Sequence, residues 1–239
     1  MTGKAPGIRN GAGRSSPLLR PSDLWRLPAR WSFASALARA AAQDPRAFWI
    51  ACRAVRTHRA MQKPLELHRY LAFLRQRRVA SVLEIGSLWG GTFFAHCAVA
   101  DPDATLVSVD WQPPDDAGTM ASRFTAHARG NQAIHCIWHD SHSETAHATV
   151  RAALDGHPLD VLFIDGDHSL EGARRDYEMY APLVRGGGIV AFHDIAADVP
   201  PGTGIPGLWH SIRREHPHVE FIDPVHPPHG LGIGVMLKP

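Results

Sequence analysis

Two corners of the sequence combine glycine, carboxylate and imidazole groups in a way that could do chemistry. The stretch from Glu84 to Thr92 follows an apolar run, and its glycines let a ligand approach the backbone and the free N–H groups of a starting helix. The stretch from Asp165 to His168 follows another apolar run and puts carboxylates beside a histidine. The first corner suits a nucleoside or an amino-acid carboxylate, and the second suits acid–base or metal chemistry.

The glycine spacing of the first corner disfavours a dinucleotide cofactor. The dinucleotide fingerprint needs Gly-x-Gly-x-x-Gly, but Leu88 stands at its second glycine, so a nucleoside without pyrophosphate is favoured. Asp110 lies 110 − 90 = 20 positions after Gly90, the distance at which a carboxylate commonly binds ribose hydroxyls. Trp111 is placed to lie against an adenine ring. A packing turn at the glycines, a helix cap at Asp110 and simple packing of Trp111 remain the structural alternatives.

The elements that must position these corners alternate between strand and helix. Near-continuous apolar runs predict buried parallel strands, and the segments between them are long enough for crossover helices. We therefore predict an α/β fold with a doubly wound, Rossmann-like, mostly parallel seven-stranded sheet and an N-terminal helical extension. The carboxyl ends of its strands would bring both corners to one rim. The predicted strands are 81–85, 105–109, 133–138, 160–164, 189–192, 219–222 and 231–237.

Local signals predict how the helices of this fold begin. Ser141 and Glu144 form a capping-box pattern, and another helix is predicted to start near Ser169 and to carry Leu170 and Val184 inward. Asp140, at the end of the third strand, can accept a hydrogen bond from an adenine amino group. The glycines 186–188 predict a turn into the fifth strand.

Three regions are expected along the chain. Residues 1–30 are rich in Gly, Ser, Pro and Arg and predict a flexible basic arm, with a targeting segment as the minor alternative. Residues 31–75 predict a helical N-terminal cap, interrupted at Pro45 and restarted at Pro64. Residues 76–239 predict the ligand-binding domain.

Composition narrows the class of protein further. The 239 residues carry a formal net charge of +2 without a basic block, so no nucleic-acid partner is indicated. The three cysteines are widely spaced in apolar segments and indicate a reducing compartment rather than disulfides. No apolar run reaches the roughly 20 residues of a membrane span. We expect a soluble, cytoplasmic protein without a membrane partner, and a homo-oligomer remains open.

Together these motifs resemble class I S-adenosylmethionine-dependent methyltransferases, and more narrowly small-molecule O-methyltransferases of the catechol and antibiotic-sugar types. The resemblance rests on the first corner, Asp110, the segment 163–169 and the segment 186–194, and it covers about residues 60–239. It implies S-adenosyl-L-methionine as cofactor. Its binding residues would be Glu84, Gly86, Ser87, Gly90 and Thr92 at the first corner, Asp110 and Trp111 after the second strand, Asp140 and Ser141 after the third, and Asp165.

The same resemblance implies a divalent metal ion, Mg²⁺ or Mn²⁺, at the ends of the fourth and fifth strands. The implied ligands are Asp165 and Asp194, with His193 to complete the set. Ile195 departs from the pattern, which has Asn at that position. His168 occupies the position of the family's lysine base, and a histidine of near-neutral pKa could take a hydroxyl proton there.

The expected function is therefore methyl transfer to a hydroxyl of a small molecule, a sugar or secondary metabolite, with His168 and Asp165 as catalytic residues. Two alternatives remain. One is a non-catalytic subunit that binds S-adenosylmethionine, because fold alone does not establish catalysis. The other is a nicotinamide-dependent oxidoreductase, against which Leu88 argues.

Overall fold

The computed structural model describes residues 33–196, 202–223 and 231–239, with side chains from Ser35 onward. The predicted arm, the start of the cap at Trp31 and part of the loop after Ala196 lie outside the described residues. The helices are α1 Phe33–Gln43, α2 Pro45–His58, α3 Pro64–Leu74, α4 Gly91–Val99, α5 Ala117–Thr125, α6 Glu144–Leu154, α7 Leu170–Tyr180 and α8 Ile205–Glu215, with a 3₁₀ turn at Ala181–Leu183. The strands are β1 Ser81–Ile85, β2 Thr105–Asp110, β3 Ala133–Trp138, β4 Leu159–Ile164, β5 Val184–His193, β6 His218–Phe221 and β7 Ile233–Leu237.

The strands form one seven-stranded sheet in the order β3-β2-β1-β4-β5-β7-β6. The pairs from β3 to β5 are parallel, and β7 runs antiparallel to both of its neighbours. Strand order therefore reverses between β1 and β4, where ligands bind in doubly wound sheets. This topology confirms the predicted fold.

Helices cover both faces of the sheet and give the molecule two hydrophobic layers. One layer packs α2, α3, α4 and α5 against the sheet and includes Ile50, Leu71 and Phe93. The other packs α6, α7 and α8 and includes Val150 and Trp209. Because α2 and α3 share a core with α4, the predicted helical cap is packed on the same sheet as the rest of the domain.

The two proline signals in the cap mark helix starts, as predicted. Asp44 caps α2 by accepting from the Ala47 amide at 3.0 Å, and Pro45 occupies the first helical turn, where its missing N–H costs nothing. Pro64 has the same place in α3. No helix in the described part of the chain is long and apolar enough to cross a bilayer.

The predicted cap of α6 is wrong by two residues. Ser143, not Ser141, accepts from the Ala146 amide, at 3.1 Å, and the helix begins at Glu144. The reason is a competing local turn, in which the Asp140 carboxylate accepts from the His142 amide at 2.8 Å and delays the helix.

Three further details differ from the sequence prediction. The glycines 186–188 lie within β5, whose register against β4 shifts between Leu159 and Val161. Leu170 is exposed and Val184 belongs to β5, so neither packs as part of α7. Ser169 caps α7 as predicted, accepting from the Gly172 amide at 3.0 Å.

Candidate active site

The reversal of strand order brings three chain corners together. Gly86 follows β1, Asp165 follows β4, and Asp194 follows β5. A cavity of about 370 Å³ opens at this rim. Its lining includes Gly86, Ser87, Thr92, Asp165, His168, His193 and Asp194. The fold thus joins the two corners that the sequence singled out.

Glycine is required at the first corner because the backbone there passes very close to the second. Gly86 has φ +84°, and a Cβ at this position would overlap the backbone carbonyl of Asp165. Gly90 has φ +80° and precedes α4, and a Cβ there would enter the ring of Phe124. A side chain at either position would push the corner away from the rim.

The ends of β1 and β2 are joined by side-chain hydrogen bonds. Asp110 Oδ2 accepts from the Leu88 amide at 2.7 Å, and Ser108 Oγ donates to Ser87 Oγ at 2.8 Å. Burial raises the pKa of the Asp110 carboxyl, and hydrogen bonds from backbone amides, first that of Leu88, oppose this rise. Trp111, beside it, is 76% exposed. Asp110 therefore lies against the first corner, as its spacing predicted.

Other predicted cofactor residues have partners away from the cavity. Glu84 is buried, and its Oε2 lies 2.6 Å from His96 Nδ1. Burial raises the pKa of Glu84, although His96 acts in the opposite direction. Asp140 is exposed at the end of β3, and the Ser141 carbonyl accepts from the Tyr180 hydroxyl at 2.7 Å. Neither Asp140 nor Ser141 is part of the cavity wall.

At the second corner, His168 lies between two carboxylates. Its Nδ1 is 2.9 Å from Asp194 Oδ2, and its Nε2 is 3.5 Å from Asp165 Oδ1. Hydrogen bonds to Asp165 and Asp194 raise the pKa of His168 to about 10. The pKa of this imidazole therefore lies above the near-neutral value expected from the sequence.

Asp165 is the most connected of the carboxylates. Its Oδ2 accepts from Gln62 Nε2 at 2.7 Å, and its Oδ1 lies 3.1 Å from His193 Nδ1. Burial alone would raise the pKa of Asp165, but the charge of His193 and the hydrogen bonds from His168 and His193 hold it below its usual value. The carboxylate is therefore ionised and fixed in orientation.

His193 is buried in a network with carboxylates at both ends of its ring. Nδ1 faces Asp165 and also lies 3.3 Å from Asp194 Oδ1, and Nε2 lies 3.2 Å from Glu66 Oε1. Burial lowers the pKa of His193, but these carboxylates, first Asp165, raise it well above its ordinary value. Since both ring nitrogens are engaged, His193 is less suited to bind a metal than the sequence suggested.

The structure instead groups Asp165, His168 and Asp194 as potential metal ligands. One ligand atom from each of the three lies within 4.8 Å of those of the other two. Asp194 has φ +60°, a left-handed conformation that is rare for a residue with a side chain and often found at functional sites. Its Oδ1 is buried without a hydrogen-bond partner among the described residues. Two carboxylates and one imidazole suit Mg²⁺ or Mn²⁺.

Ile195, the residue that departs from the family's metal pattern, does not face this group. It is 6% exposed and belongs to the hydrophobic layer formed with α6, α7 and α8. Of the residues at this strand end, Asp194 is therefore the one that joins Asp165 and His168 as a potential metal ligand.

Two residues of the site were not predicted from the sequence, and both come from the N-terminal cap. Gln62 is buried, donates to Asp165 and accepts from the Thr92 hydroxyl. Glu66 is buried beside His193, and its Oε2 accepts from the Gly232 amide at 2.8 Å. A Glu in the first turn after Pro64 reads as a helix-start signal, and its Oε1 does accept from the Lys63 amide at 2.9 Å. Nothing local indicates its contact with a histidine 127 positions away.

Trp209 belongs to the core. It is 1% exposed, and its Nε1 donates to Glu220 Oε1 at 2.7 Å. A Cβ on Gly234 would overlap its ring, so the indole packs directly on β7.

The sheet order, the glycine corner after β1 and the acidic rim after β4 and β5 are similar to those of class I S-adenosylmethionine-dependent methyltransferases. Residues 83–195 match the family model described as "Methyltransferase domain".

Known proteins resemble the chain in sequence or in fold. The chain is 29% identical over 167 residues to the uncharacterized protein y4gI of Sinorhizobium fredii, and the match covers 67% of this chain but only 17% of that protein. The O-methyltransferase TomG from Streptomyces achromogenes has the same fold, with a TM-score of 0.56, 18% identity and coverage of 81% of this chain and 90% of TomG. An O-methyltransferase from Bacillus cereus gives a TM-score of 0.55 at 16% identity, covering 88% and 94% of the two chains. MycE, of the mycinamycin biosynthetic pathway, gives 0.53 at 17% identity, covering 81% of this chain and 54% of MycE.

Proposed function

We propose that this protein is an O-methyltransferase that transfers a methyl group from S-adenosyl-L-methionine to a hydroxyl of a small molecule, a sugar or secondary metabolite. A divalent metal ion assists the transfer. The observation that carries this proposal is the location of Asp165, His168 and Asp194 in the same cavity as the Gly86 corner. The proposed place for the cofactor and the proposed place for activating the acceptor hydroxyl are then adjacent in this cavity.

The solved relatives support the substrate class. TomG is described as involved in tomaymycin synthesis and was solved with S-adenosylmethionine. MycE was solved with Mg, S-adenosylhomocysteine and mycinamycin VI. Both act in the synthesis of secondary metabolites, which is the kind of acceptor proposed here.

The first corner supplies the contacts for the cofactor. Gly86 lets the ligand approach the backbone, Ser87 and Thr92 offer hydroxyls at the cavity wall, and Asp110 lies beside them for the ribose. These groups orient the methyl donor, and orientation is a large part of catalysis in a two-substrate displacement. Trp111, Asp140 and Ser141 are proposed contacts of the adenosine part, because they follow β2 and β3.

Asp165 and Asp194 would hold the metal ion, beside the ring of His168. When bound, a divalent cation stabilises the negative charge that develops on the acceptor oxygen. Gln62 and His193 fix the orientation of Asp165, as hydrogen-bond partners of metal ligands commonly do.

His168 is proposed as the group that receives the hydroxyl proton, for which its ring must be neutral. A cation held by Asp165 and Asp194 would favour the neutral ring, because it offsets the two negative charges that raise the pKa of His168. Its side chain is 43% exposed and lines the cavity, so an acceptor can reach the ring. Asp165 and Asp194 orient that ring from two sides, as a catalytic base requires.

The metal role can be tested with Asp194→Asn. Removing a ligand charge should reduce turnover roughly 100-fold or more, because charge stabilisation at the acceptor oxygen is lost. Affinity for S-adenosylhomocysteine, measured by calorimetry, should stay within about threefold of wild type. Turnover is measured as S-adenosylhomocysteine release on a panel of catechols and deoxysugar glycosides.

Asp167→Asn is the matched control, because Asp167 lies in the same corner but outside the ligand group and accepts a hydrogen bond from the Ser169 amide just before α7. It should leave turnover within about twofold of wild type. Unchanged turnover of Asp194→Asn, or full turnover in EDTA, would overturn the metal role. Absence of any S-adenosylhomocysteine binding would overturn the proposed function as a whole.

A further inference from the structure

A second and larger cavity, of about 930 Å³, lies among α2, α4 and α5. Its wall carries five arginines and three large aromatic side chains, together with two histidines. We call it the arginine cavity; these residues are Arg46, Arg53, Arg59, Arg123 and Arg129, Trp49, Trp89 and Phe94, and His58 and His127. No carboxylate belongs to this wall among the described residues.

Most of these guanidinium groups have no counter-ion among the residues that the structure describes. Arg46, Arg53, Arg59 and Arg123 form no ion pair with any residue in the described part of the chain. Arg129 donates to the Ala98 carbonyl, which is neutral. Four of these arginines, Arg46, Arg53, Arg59 and Arg129, are exposed to solvent. Like charges gathered around a concave surface create a positive potential that attracts anions.

Aromatic rings hold several of these arginines in place. The Arg59 guanidinium lies 4.4 Å from the centre of the Trp89 ring, and Arg53 lies 5.2 Å from the centre of the Trp49 ring. Stacking of this kind orients a guanidinium plane and leaves its N–H edges free to donate. Arginine in this state binds phosphate or carboxylate groups bidentately.

Two histidines, His58 and His127, lie in the wall, and the pKa of each is lowered first by burial and also by neighbouring arginines. His127 packs edge-on to His58, at 4.8 Å between ring centres, and both are close to Phe94. Burial lowers the pKa of His127 to about 4, with further lowering from His58, Arg123 and Arg53. The pKa of His58 is lowered by burial and by the same two arginines.

We propose that the arginine cavity is a binding site for a small phosphorylated ligand that carries a flat ring, of the nucleotide kind. The arginines provide several charge-assisted donors for phosphate oxygens. The cavity is far larger than one phosphate ion and is of the size that holds a small-molecule ligand, so the remaining volume and the aromatic wall suit a ring. This site is separate from the proposed cofactor site, with Arg59 lining both cavities.

ADP is the probe, and calorimetry with the full-length protein is the measurement. Saturating S-adenosylhomocysteine is present throughout, so that ADP cannot be held by the proposed cofactor site. Inorganic pyrophosphate and adenosine, titrated separately, distinguish the contributions of phosphate and ring. We expect saturable ADP binding with a micromolar Kd and weaker binding of both fragments.

The double variant Arg53→Gln/Arg123→Gln removes two donors from the wall. It should weaken ADP binding roughly tenfold for each arginine lost. Arg56→Gln is the matched control, since Arg56 is exposed on the same helix α2 but lies outside the cavity wall. It should bind ADP with wild-type affinity. Thermal unfolding and S-adenosylhomocysteine affinity of each variant show whether the fold is retained.

Three results would overturn the proposal. The first is no saturable ADP binding at millimolar concentration, and the second is equal ADP affinity in wild type and the folded double variant. The third is affinity for single-stranded oligonucleotides that rises with their length and exceeds that for ADP, which would identify an extended nucleic-acid surface instead. Pyrophosphate binding as tightly as ADP would reject the ring contact.

Discussion

At the scale of single residues, the site depends on the absence of a side chain at Gly86 as much as on the presence of carboxylates. The left-handed φ of Gly86 and its approach to the Asp165 backbone join the β1 and β4 corners. Gly156 has a similar φ, +78°, but a Cβ there would meet nothing within 4 Å. Substituting each of these two glycines therefore distinguishes the cost of backbone strain from the cost of steric overlap with neighbouring backbone.

We predict that Gly86→Ala lowers the free energy of unfolding by at least about 3 kcal/mol and abolishes S-adenosylhomocysteine binding, because strain and overlap both act there. Gly156→Ala should cost only about 1 kcal/mol, from strain alone, and retain binding. Urea unfolding and calorimetry provide the two measurements. Equal losses of stability in the two variants would contradict the close-approach argument.

The two histidines of the site have environments that their residue type and position in the sequence do not reveal. With 16 histidines in the chain, the sequence correctly singled out His168 and His193 as near one rim but not their separate environments. His168 lines the cavity between two carboxylates, whereas His193 is buried against Glu66. The roles differ because of burial, which depends on the packing of α3 against the sheet.

At the scale of secondary-structure elements, the start of α6 shows how a nearby turn can displace a cap. Both Ser141 and Ser143 are suitable capping residues by type, and the Asp140 turn decides between them. We predict that Ser143→Ala lowers the free energy of unfolding by about 1 kcal/mol, because the Ala146 amide loses its acceptor. Ser143→Asp, which keeps an acceptor there, should be close to wild type in urea unfolding. If Ser143→Asp loses as much stability as Ser143→Ala, the cap does not explain the effect.

Helix α3 does more than cover the sheet, because residues at its start contact the carboxylates and the histidine of the site. Gln62 lies two residues before its start and donates to Asp165. Glu66 lies in its first turn and contacts His193. The N-terminal helices were predicted as elements, and their contribution to the carboxylate cluster came only from the fold.

At the scale of the whole molecule, the arginine cavity affects how stability depends on pH. The pKa of His127 is about 4 in the folded protein, below its ordinary value of 6.5, mainly because of burial. Between these values the unfolded chain binds a proton that the folded protein does not, so this histidine makes stability fall as pH drops below about 6.5 and level off near 4. The maximum loss is about 3 kcal/mol.

We predict that His127→Gln flattens this fall in stability when urea unfolding is compared at pH 7 and pH 4.5 without added anions. The variant loses ring packing at both pH values, so the difference between them is the relevant quantity. His157→Gln, at an exposed position, is the control and should keep the wild-type difference. A wild-type pH difference in His127→Gln would show that another group is responsible.

The sequence by itself determined the order of elements, the sheet class and the two corners. These follow from local patterns: apolar runs mark buried strands, prolines mark the starts of α2 and α3, and glycines mark close approaches. Asp110 and the first corner also followed from spacing, because strand and helix lengths in a strand-helix-strand unit vary little.

Only the tertiary structure decided which groups meet. Gln62 and Glu66 reach Asp165 and His193 across more than 100 positions, and the cavity arginines come from α2, α5 and the loops beside them. Such contacts depend on how helices pack on a sheet. A one-dimensional pattern records which face of an element is buried but not which distant side chain lies opposite it.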